Sequence, residues 1–584
     1  MTIQPSIGAT RAITGNAVRE KSENCSCPHS AEPAPSSPSE SFVPSSASAN
    51  AAPVEAATAK APEQQAPAAE KTVQVSVYQQ DPFVAKPILL EVPQNEIGSN
   101  LSSPRVVTQD NRPLAKPDAN GNYILADRSD GVAQTNAHVI TNETLQLFES
   151  YKGGEINWAS GKQLSVTPHK QEGRNAYYSR WGGTNYFYSE SPGLGAVMKT
   201  ANSTDVVSHE TGHALLDGLR PGFFSTHDDE TGAFHEAFGD CAAILFGLTQ
   251  PSNREKFIEQ TGGDTTKHNV FSSLAEEFGA ARVLDNKDPS DDHKTWLRTT
   301  QTSFTYTPPS KLPDGRGSDT ELGREVHSFS RLFSSAFYDS VVAVYNQARA
   351  EGKSIDEAVV TAEQINGPAL LRSIESGSPN RATFKAIALG MVAADKANGG
   401  KYADGMAQAF INRKIITADD IKAAEAEAAA LPDVRLPEGL SKANSVNFLE
   451  ANAEALGISA ETPFVPENVT TNGKGETFVT FRYSQEVPVT VAGLEDKVTD
   501  VQGGLSLSFD ADGKLIGRAY DEITSDTVER EMQGIANMQS RNAIVDKAAL
   551  GLFKNSGTEH LFKSSIEGNK IVRIPVSGCD HEHH

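Results

Sequence analysis

Two histidines, His209 and His213, lie four residues apart in the stretch VVSHETGHALLDG, and Glu210 directly follows the first of them. On a helix, residues i and i+4 share one face, so the two imidazoles can bind one zinc ion at ~2.0–2.1 Å. Glu210 then lies beside the ion, where a carboxylate can remove a proton from water whose pKa zinc has lowered toward ~7. The alternative is an ordinary helix that carries polar side chains. The spacing favours a catalytic zinc site.

A third ligand is needed for such a site, and the segment GAFHEAFGD supplies a candidate. Glu236 and Asp240 are again four residues apart, after the turn-like stretch DDETG, and we expect them on one helix. Glu236 completes a His, His, Glu set that leaves the fourth position of zinc open. Asp240 can accept a hydrogen bond from a ligating imidazole and hold its orientation. We expect His235 to pack behind the site and not to bind the metal.

The two motifs, H-E-x-x-H followed by E-x-x-x-D, resemble the thermolysin family of zinc metallopeptidases, the gluzincins. The resemblance covers about residues 130–415. It implies an α+β fold with a strand-rich N-terminal lobe, a helical C-terminal lobe and Zn²⁺ as the cofactor in the cleft between them. It also implies a zinc-dependent metalloendopeptidase whose substrate is a polypeptide.

Other segments resemble parts of the same family that contact the substrate. Asn175 and Ala176 resemble the edge strand that hydrogen-bonds the substrate backbone, and Arg298 resembles an arginine that binds a substrate carbonyl. Val206 and Leu297 lie on segments that line the pocket after the scissile bond, which implies a preference for an apolar side chain there. Without the resemblance, Asn175 is as readily a turn residue and Arg298 a structural ion-pair partner.

His327 resembles the histidine that stabilises the tetrahedral oxyanion in this family, although its type alone fits an ordinary core or surface histidine equally well. His227 falls where the family carries an assisting tyrosine. Its imidazole can replace the phenol as a donor, or it is an exposed loop residue. Leu322 stands where the family has an acidic partner of the oxyanion histidine. Three nearby carboxylates are alternatives: Asp319, Glu321 and Glu325.

A calcium site is suggested by one residue and opposed by another. Asp205 matches a calcium-binding aspartate of the family, whereas Gly247 stands where a second acidic ligand is expected. Calcium takes about six to eight oxygen ligands, and one carboxylate cannot build that shell. The sequence therefore leaves open whether the protein binds Ca²⁺ in addition to zinc.

Composition limits the function classes. The chain has 584 residues, a formal net charge of -23 and a pI near 5.1, which oppose binding to nucleic acid or anionic lipid. Four cysteines are too few for a disulfide framework, and we expect Cys241 to be a buried free thiol. No apolar run is long enough for a membrane span, and no cleavable signal peptide is seen, so we expect cytoplasmic synthesis, with export by a leaderless or specialised route left open.

Composition and periodicity divide the chain into six parts. An Ala/Pro/Ser-rich arm that we expect to be disordered precedes a strand-rich lobe and a helical lobe with the zinc site. A helix with a linker, an α+β module and a short tail follow. The predicted boundaries are 1–72, 73–204, 205–416, 417–440, 441–576 and 577–584.

The C-terminal module alternates apolar and polar residues in ETFVTFRYSQEVPV and GGLSLSFDADGKLIGRA, which predicts a small antiparallel sheet with a hairpin at Asp510–Gly513. The pattern resembles the propeptide domains of fungalysins and thermolysins, in which such sheets cover the catalytic cleft. The resemblance implies intramolecular inhibition, here from the C-terminal side. An accessory domain with common hairpins is the alternative. The tail residues from Cys579 onward could bind metal, but we expect them to be mobile, as terminal residues without a scaffold usually are.

A second class of function stays open beside the peptidase. The departures at His227 and Leu322 leave room for a zinc-containing protein that has kept a peptidase scaffold and acts as a binding or interaction module without turnover. An aminopeptidase is a third option, but no Gly-x-Met-Glu-Asn-type element that would hold a free amine occurs in the sequence.

Overall fold

The computed structural model describes residues 71–286, 295–556, 558–561 and 563–578. The fold is a mixture of 43% helix and 20% strand, with 14 helices and several sheets in the part that is described, so the α+β expectation is confirmed at this level. The predicted arm lies outside the described residues except for its last two positions, and the first strand begins at Thr72. No described helix is both long and apolar enough to cross a bilayer.

The helices of the described part are α1 Gln94–Ile97, α2 Asp130–Lys152, α3 Thr204–Leu219, α4 Asp229–Thr249, α5 Pro251–Thr261, α6 Glu276–Asn286, α7 Val326–Ala350, α8 Ile355–Ser376, α9 Phe384–Ala397, α10 Ala403–Asn412, α11 Ala418–Ala429, α12 Ser445–Asn452, α13 Ser525–Ser540 and α14 Lys547–Ser556.

The strands are β1 Thr72–Val77, β2 Ile88–Pro93, β3 Val106–Thr108, β4 Leu164–Thr167, β5 Ala176–Ser179, β6 Gly183–Tyr186, β7 Tyr188–Ser191, β8 Ala196–Lys199, β9 Ser273–Leu274, β10 Arg298–Thr299, β11 Val465–Thr471, β12 Thr477–Pro488, β13 Val498–Phe509, β14 Leu515–Asp521, β15 Ile544–Asp546, β16 Ser564–Glu567, β17 Lys570–Arg573 and β18 Val576–Gly578.

The predicted strand-rich lobe contains short sheets around α2. Its main sheet has five strands in the order β18-β5-β6-β4-β3, and β5 and β6 form a hairpin at the pair Gly182 and Gly183. Gly183 opens β6 at φ 70°, and a Cβ there would lie 1.9 Å from the carbonyl oxygen of Ser165, so only glycine fits this turn. The buried helix α2 packs under these strands and against α3.

The predicted helical lobe is built around α3, α4, α7 and α8, whose apolar faces share one large core with α2 and β5. Ser203 and Asp228 cap the N-termini of α3 and α4, because their side chains accept hydrogen bonds from Val206 N and Thr231 N. Cys241, on α4, is buried and free in this core, as the sequence predicts.

The C-terminal module has its own sheet with strands in the order β11-β12-β13-β17-β16-β15, and β14 pairs with the other part of β13. The predicted hairpin lies between β13 and β14, where Gly513 has φ 74°. The expectation of an antiparallel sheet is wrong in part, since β13 pairs with β17, and β15 with β16, in parallel. These strands return through α13 and α14, and only such crossovers allow parallel pairing.

A C-terminal strand crosses the predicted boundary between the module and the tail. Ser577 and Gly578 belong to β18, which leaves the module and pairs with β5 of the N-terminal lobe. A strand edge offers unpaired backbone groups, and a chain segment that reaches it gains those hydrogen bonds whatever its sequence. The remaining tail positions, 579–584, lie outside the described residues.

Candidate metal centre

Helices α3 and α4 approach each other closely at two glycines. A Cβ on Gly212 would lie 3.0 Å from Gly239 Cα, and a Cβ on Gly239 would lie 2.6 Å from His209 Nδ1. Glycine inside a helix costs about 1 kcal/mol relative to alanine. This cost is offset here by close contact between the helices, which places residues of α3 and α4 around one point.

Three predicted ligands converge at that point. One nitrogen of His209, one nitrogen of His213 and one oxygen of Glu236 lie within 4.8 Å of one another, and all three residues are buried. Glu236 Oε2 is 3.5 Å from His209 Nε2 and 3.6 Å from His213 Nε2, longer than good hydrogen bonds. Among the described residues, His213 Nε2 and Glu236 Oε2 are buried without a hydrogen-bond partner.

This geometry fits a zinc ion. Two imidazole nitrogens and one carboxylate oxygen are a ligand set of catalytic zinc sites, which keep a further position open. Buried polar atoms that lack partners are costly, and a cation between the three residues would satisfy both His213 Nε2 and Glu236 Oε2. The donor set is too rich in nitrogen for calcium, which prefers oxygen ligands.

Residues behind the ligands hold the two imidazoles in place. His209 Nδ1 lies 3.0 Å from Asp240 Oδ1, and His213 Nδ1 lies 2.9 Å from His235 Nδ1. Ser334 Oγ donates to the other oxygen of Asp240 at 2.7 Å. Because Nδ1 of each ligand is engaged, Nε2 is directed toward Glu236. Asp240 and His235 therefore lie where the sequence predicts supporting residues.

Burial and charge give the ligands the protonation states that a metal requires. Burial lowers the pKa of His213 to about 4, so its imidazole is neutral at pH 7. Burial alone would raise the pKa of Glu236, but charge interactions with His327 and His213 outweigh it and hold the pKa well below its usual value. Burial would likewise raise the pKa of Asp240, but Arg298 and His209 outweigh it and hold the pKa below its usual value. Neutral imidazoles and ionised carboxylates are the metal-binding forms.

His327 lies beside the same carboxylate. Its Nε2 is 3.4 Å from Glu236 Oε2, and its Nδ1 is 2.5 Å from Glu325 Oε1. Of the three carboxylates left open by the sequence, Glu325 is therefore the partner, while Leu322 is buried nearby in the core. Glu325 also caps α7 by accepting from Ser328 N, which explains why it can hold His327 from two residues away.

The remaining predicted site residues lie around this centre. Glu210 is fully buried on α3 beside His209. Val206 and Leu297 line a small cavity together with His209, Arg298 and Asp240. The role of this cavity as the pocket after the scissile bond stays a prediction. The guanidinium of Arg298 contacts Asp240 Oδ1 at 3.1 Å, so its predicted contact with a substrate carbonyl stays a prediction.

Asn175 and Ala176 lie at the start of β5. Asn175 is buried, accepts a hydrogen bond from Ala176 N at 2.9 Å, and lines a cavity of about 610 Å³ that also includes Glu236 and His327. Ser577 is part of this cavity wall and was missed by sequence reasoning. The only signal in the sequence was that Ser577 directly follows the predicted end of the module at residue 576.

His227 is buried against the C-terminal module and is not an exposed loop residue. Its Nδ1 lies 2.6 Å from Glu531 Oε1 and its Nε2 lies 3.0 Å from Ser564 Oγ. Thr226 donates to Glu531 as well, at 2.7 Å. Both ring nitrogens of His227 are thus engaged, and a role as oxyanion donor, which stays a prediction, would require the module to move.

A second polar cluster surrounds Asp205 at the N-terminal end of α3. Asp205 Oδ2 accepts from Gln80 Nε2 at 3.3 Å and from Ala275 N at 3.2 Å, and Asp81 accepts from Glu277 N at 2.7 Å. Burial raises the pKa of Asp205 to about 8, with the charge of Asp81 adding to it, and burial raises the pKa of Glu276 well above its usual value, with the charges of Asp205 and Asp81 adding to it. Sequence reasoning missed Asp81 and Glu276, which are distant from Asp205 along the chain.

The chain matches no protein-family model, and no curated protein matches it. The class of protein therefore rests on the residues and their geometry.

Proposed function

We propose that this protein is a zinc-dependent metalloendopeptidase of thermolysin-like type. The observation that carries the proposal is the convergence of His209, His213 and Glu236 within 4.8 Å of one another, all buried, with Glu210 following the first ligand on the same helix. Asp240 behind His209 supports it, because a ligating histidine almost always donates its other ring N–H to a carboxylate, a backbone carbonyl or water. His235 engages the corresponding nitrogen of His213.

The mechanism uses the residues around the three ligands. Zinc, when bound, supplies the polarisation of the scissile carbonyl and the acidification of a water molecule. Glu210 accepts the proton of that water and passes it to the leaving amine, as a general base and then a general acid. His327, held through Nδ1 by Glu325, offers Nε2 as a donor where negative charge develops on the carbonyl oxygen.

The substrate proposed is a polypeptide in extended conformation. Asn175 and Ala176 supply backbone and amide groups at the start of β5, and Val206 and Leu297 supply the apolar wall beside His209. An apolar side chain after the scissile bond fits that wall, because its burial gains roughly 1.5–3 kcal/mol. Calcium at Asp205 stays an open expectation of the resemblance.

The test is the variant Glu210→Gln, with the exposed Glu259→Gln as its control. Each is made in the full chain and in a chain that ends at Ile574. We measure hydrolysis of a quenched peptide library with and without a chelator, and zinc by elemental analysis. Glu210→Gln should keep one zinc per chain and lose hydrolysis roughly 10²–10⁴-fold, the usual contribution of a general base. Unchanged turnover in Glu210→Gln would refute the assignment.

A binding protein without turnover is the second candidate, and one observation favours it. Ser577 of the chain itself contacts Glu236 at 2.5 Å, so the centre is covered by protein. The same assays separate the two functions. Stoichiometric zinc without chelator-sensitive cleavage, in the full chain and in the chain ending at Ile574, would favour the binding protein.

The predicted inhibition by the C-terminal module is part of this proposal. The module contacts the edge of the site through three polar pairs: Glu531 to His227, Asn537 to Asp229 and Arg530 to Asp228. A cover of this kind would keep a peptidase latent until it is moved or removed.

A further inference from the structure

The strand β18 completes the sheet of the N-terminal lobe. It runs antiparallel to β5, with Val576 opposite Ser179, Ser577 opposite Tyr178 and Gly578 opposite Tyr177. Arg180 N also donates to Pro575 O at 3.1 Å. The sheet order is β18-β5-β6-β4-β3, so without β18 the strand β5 would be the edge of this sheet. The chain's own C-terminal strand thus occupies the edge that begins with Asn175 and Ala176.

Val576 anchors β18 in an apolar pocket. It is 6% exposed and packs with Tyr177 and Phe187, and Ile574 borders the same cluster. His560 of the module stacks on Tyr177, with ring centroids 4.9 Å apart. Main-chain hydrogen bonds give affinity in strand addition, whereas alternate side chains in pockets give specificity. β18 has both.

Ser577 brings this strand to the metal centre. Its hydroxyl donates a hydrogen bond to Glu236 Oε1 at 2.5 Å, while Glu236 Oε2 faces His209 and His213. Ser577 also lines the cavity of about 610 Å³ with Glu236 and His327. A peptide that entered along β5 would meet Ser577 at this carboxylate.

We propose that β18 is a built-in peptide ligand of the cleft, which competes with an extended polypeptide substrate for the edge of β5. This inference rests on the proposed function and names the regulation of its site. The segment that blocks access is Val576–Gly578, with Val576 as its anchor and Ser577 as its contact to Glu236. The rest of the module keeps this segment at high effective concentration, which is about millimolar for a short tether.

The module is fastened on the side of the cleft that His327 occupies. Arg541 approaches Glu325 Oε1 at 3.4 Å, and Glu531 holds His227 at 2.6 Å. Glu325 is the residue that holds His327. The module therefore contacts the support of His327 as well as the edge of β5. Displacement of β18 alone would open the edge of β5 and leave these contacts in place.

The first experiment measures binding, which does not depend on turnover. A fluorescein-labelled peptide of residues 570–578 is titrated into a chain that ends at Ile574 and, as the matched control, into a chain that ends at Gly578. Fluorescence anisotropy is recorded with zinc and after zinc removal. The shorter chain should bind the peptide roughly tenfold or more tightly than the control, since the control carries its own strand at an effective concentration near millimolar. A peptide with Val576→Asp should bind at least about tenfold more weakly than the unchanged peptide.

The second experiment measures hydrolysis of a quenched peptide by the same two chains. The chain ending at Ile574 should cleave roughly tenfold or more faster, and the added 570–578 peptide should raise its KM without changing kcat. If the shorter chain loses zinc or unfolds at a lower urea concentration than the control, the full chain with Val576→Asp replaces it in both measurements. That variant should bind the labelled peptide and cleave faster than the unchanged full chain.

The outcomes separate this inference from the proposed function. Equal binding of the labelled peptide by all chains, or equal hydrolysis by the chains ending at Ile574 and Gly578, would overturn the inference. If no chain hydrolyses any peptide, the proposed function fails, and the binding comparison alone decides whether β18 fills a peptide site. Tighter binding by the shorter chain would then support β18 as the ligand of a binding protein.

Discussion

Helix α3 carries two buried polar clusters of opposite character. The imidazole cluster consists of His209 and His213 with Glu236 from α4, and the carboxylate cluster consists of Asp205 with Asp81 and Glu276. Both are buried, and both lie beside the same helix. They differ in the charges of their members, and that difference decides what each can bind.

Charge balance has opposite effects in the two clusters. In the imidazole cluster, His327 and His213 lower the pKa of Glu236 in spite of burial. In the carboxylate cluster, burial and the charge of Asp81 raise the pKa of Asp205 to about 8, and burial raises the pKa of Asp81 above its usual value against the opposing charge of Arg128. The first cluster is ready for a cation at neutral pH, and the second takes up protons unless a cation replaces them.

The ligand atoms differ as well. The imidazole cluster offers nitrogen and oxygen within 4.8 Å, which suits zinc. The carboxylate cluster offers oxygen only, and Asp81 Oδ2 and Glu276 Oε2 are buried without a hydrogen-bond partner among the described residues. We therefore propose that the imidazole cluster, near the middle of α3, binds metal and that the carboxylate cluster, at the N-terminal end of α3, binds protons, and variants in each cluster test this division.

The largest effect is expected for His213→Ala. Loss of one of three ligands should weaken zinc binding by more than about a hundredfold, the upper range for loss of a supporting residue. Zinc content after dialysis against a competing chelator measures it. The exposed histidine His268 provides the control His268→Ala, which should keep its zinc. Full zinc content in His213→Ala would break the proposed ligand set.

Asp240→Asn should have the next largest effect on the imidazole cluster. The carboxylate that holds His209 Nδ1 at 3.0 Å becomes an amide, and such supporting residues contribute about 10–100-fold in metal affinity. Competition with a zinc indicator gives the affinity. Asp356→Asn, at a surface ion pair on α8, is the control. An unchanged zinc affinity in Asp240→Asn would mean that the hydrogen bond to His209 does not support metal binding.

The comparison also shows what the sequence can predict. The ligands of the imidazole cluster lie on two helices at i, i+4 spacing, and helix periodicity alone places them on common faces. The approach of α3 and α4 was not predictable in the same way, because it depends on Gly212 and Gly239 meeting across the two helices. Glu325 was one of three alternatives, and only its contact with His327 Nδ1 in the folded chain, made from the N-cap position of α7, selects it.

The carboxylate cluster and β18 escaped prediction for a different reason. Asp81 and Asp205 are brought together by tertiary packing, with no local spacing that would link them. Ser577 reaches Glu236 from the opposite end of the chain, 341 positions away. Local patterns predict helices, strands and the ligands within them, whereas contacts of high sequence separation need the fold itself.

Asp205→Asn tests the carboxylate cluster through the pH dependence of stability. The pKa of Asp205 in the folded chain, about 8, lies above its usual value, so the folded state binds more protons than the unfolded state. The stability contributed by this proton is fully present below the usual pKa of about 3.9 and is lost as pH rises toward the folded pKa, by up to ~1.4 kcal/mol per pH unit.

We expect the metal-free chain to become less stable from pH 5 to pH 8, and Asp205→Asn to flatten this slope. Urea unfolding in the presence of a chelator measures it at each pH, with the exposed Asp419→Asn as the control. If stability depended equally on pH in Asp205→Asn and Asp419→Asn, Asp205 would not be a residue through which the carboxylate cluster binds protons. Added Ca²⁺ should stabilise only the unchanged chain if this cluster binds it, which decides the open calcium expectation.

The smallest effect is expected for Glu325→Gln. This variant tests the contribution of His327, the third imidazole near the site, without changing the predicted zinc ligands. Burial would raise the pKa of Glu325, but His327 and two arginines hold it well below its usual value, so the residue that becomes an amide is a charged one. In the chain ending at Ile574, kcat should fall about tenfold while zinc content stays constant. His327 keeps a hydrogen-bond partner in this variant, and only the negative charge of that partner is lost.

Glu325 is also the cap of α7, and this second role must be separated from the first. Loss of a cap costs roughly 1 kcal/mol of stability. Ser354→Ala, at the capping box of α8, should cost a similar amount of stability and leave kcat unchanged. Glu325→Asp should restore part of kcat, since it returns the charge at a shorter reach. If Ser354→Ala lowered kcat as much as Glu325→Gln, the effect at Glu325 would be one of helix stability, and His327 would lose its assigned support.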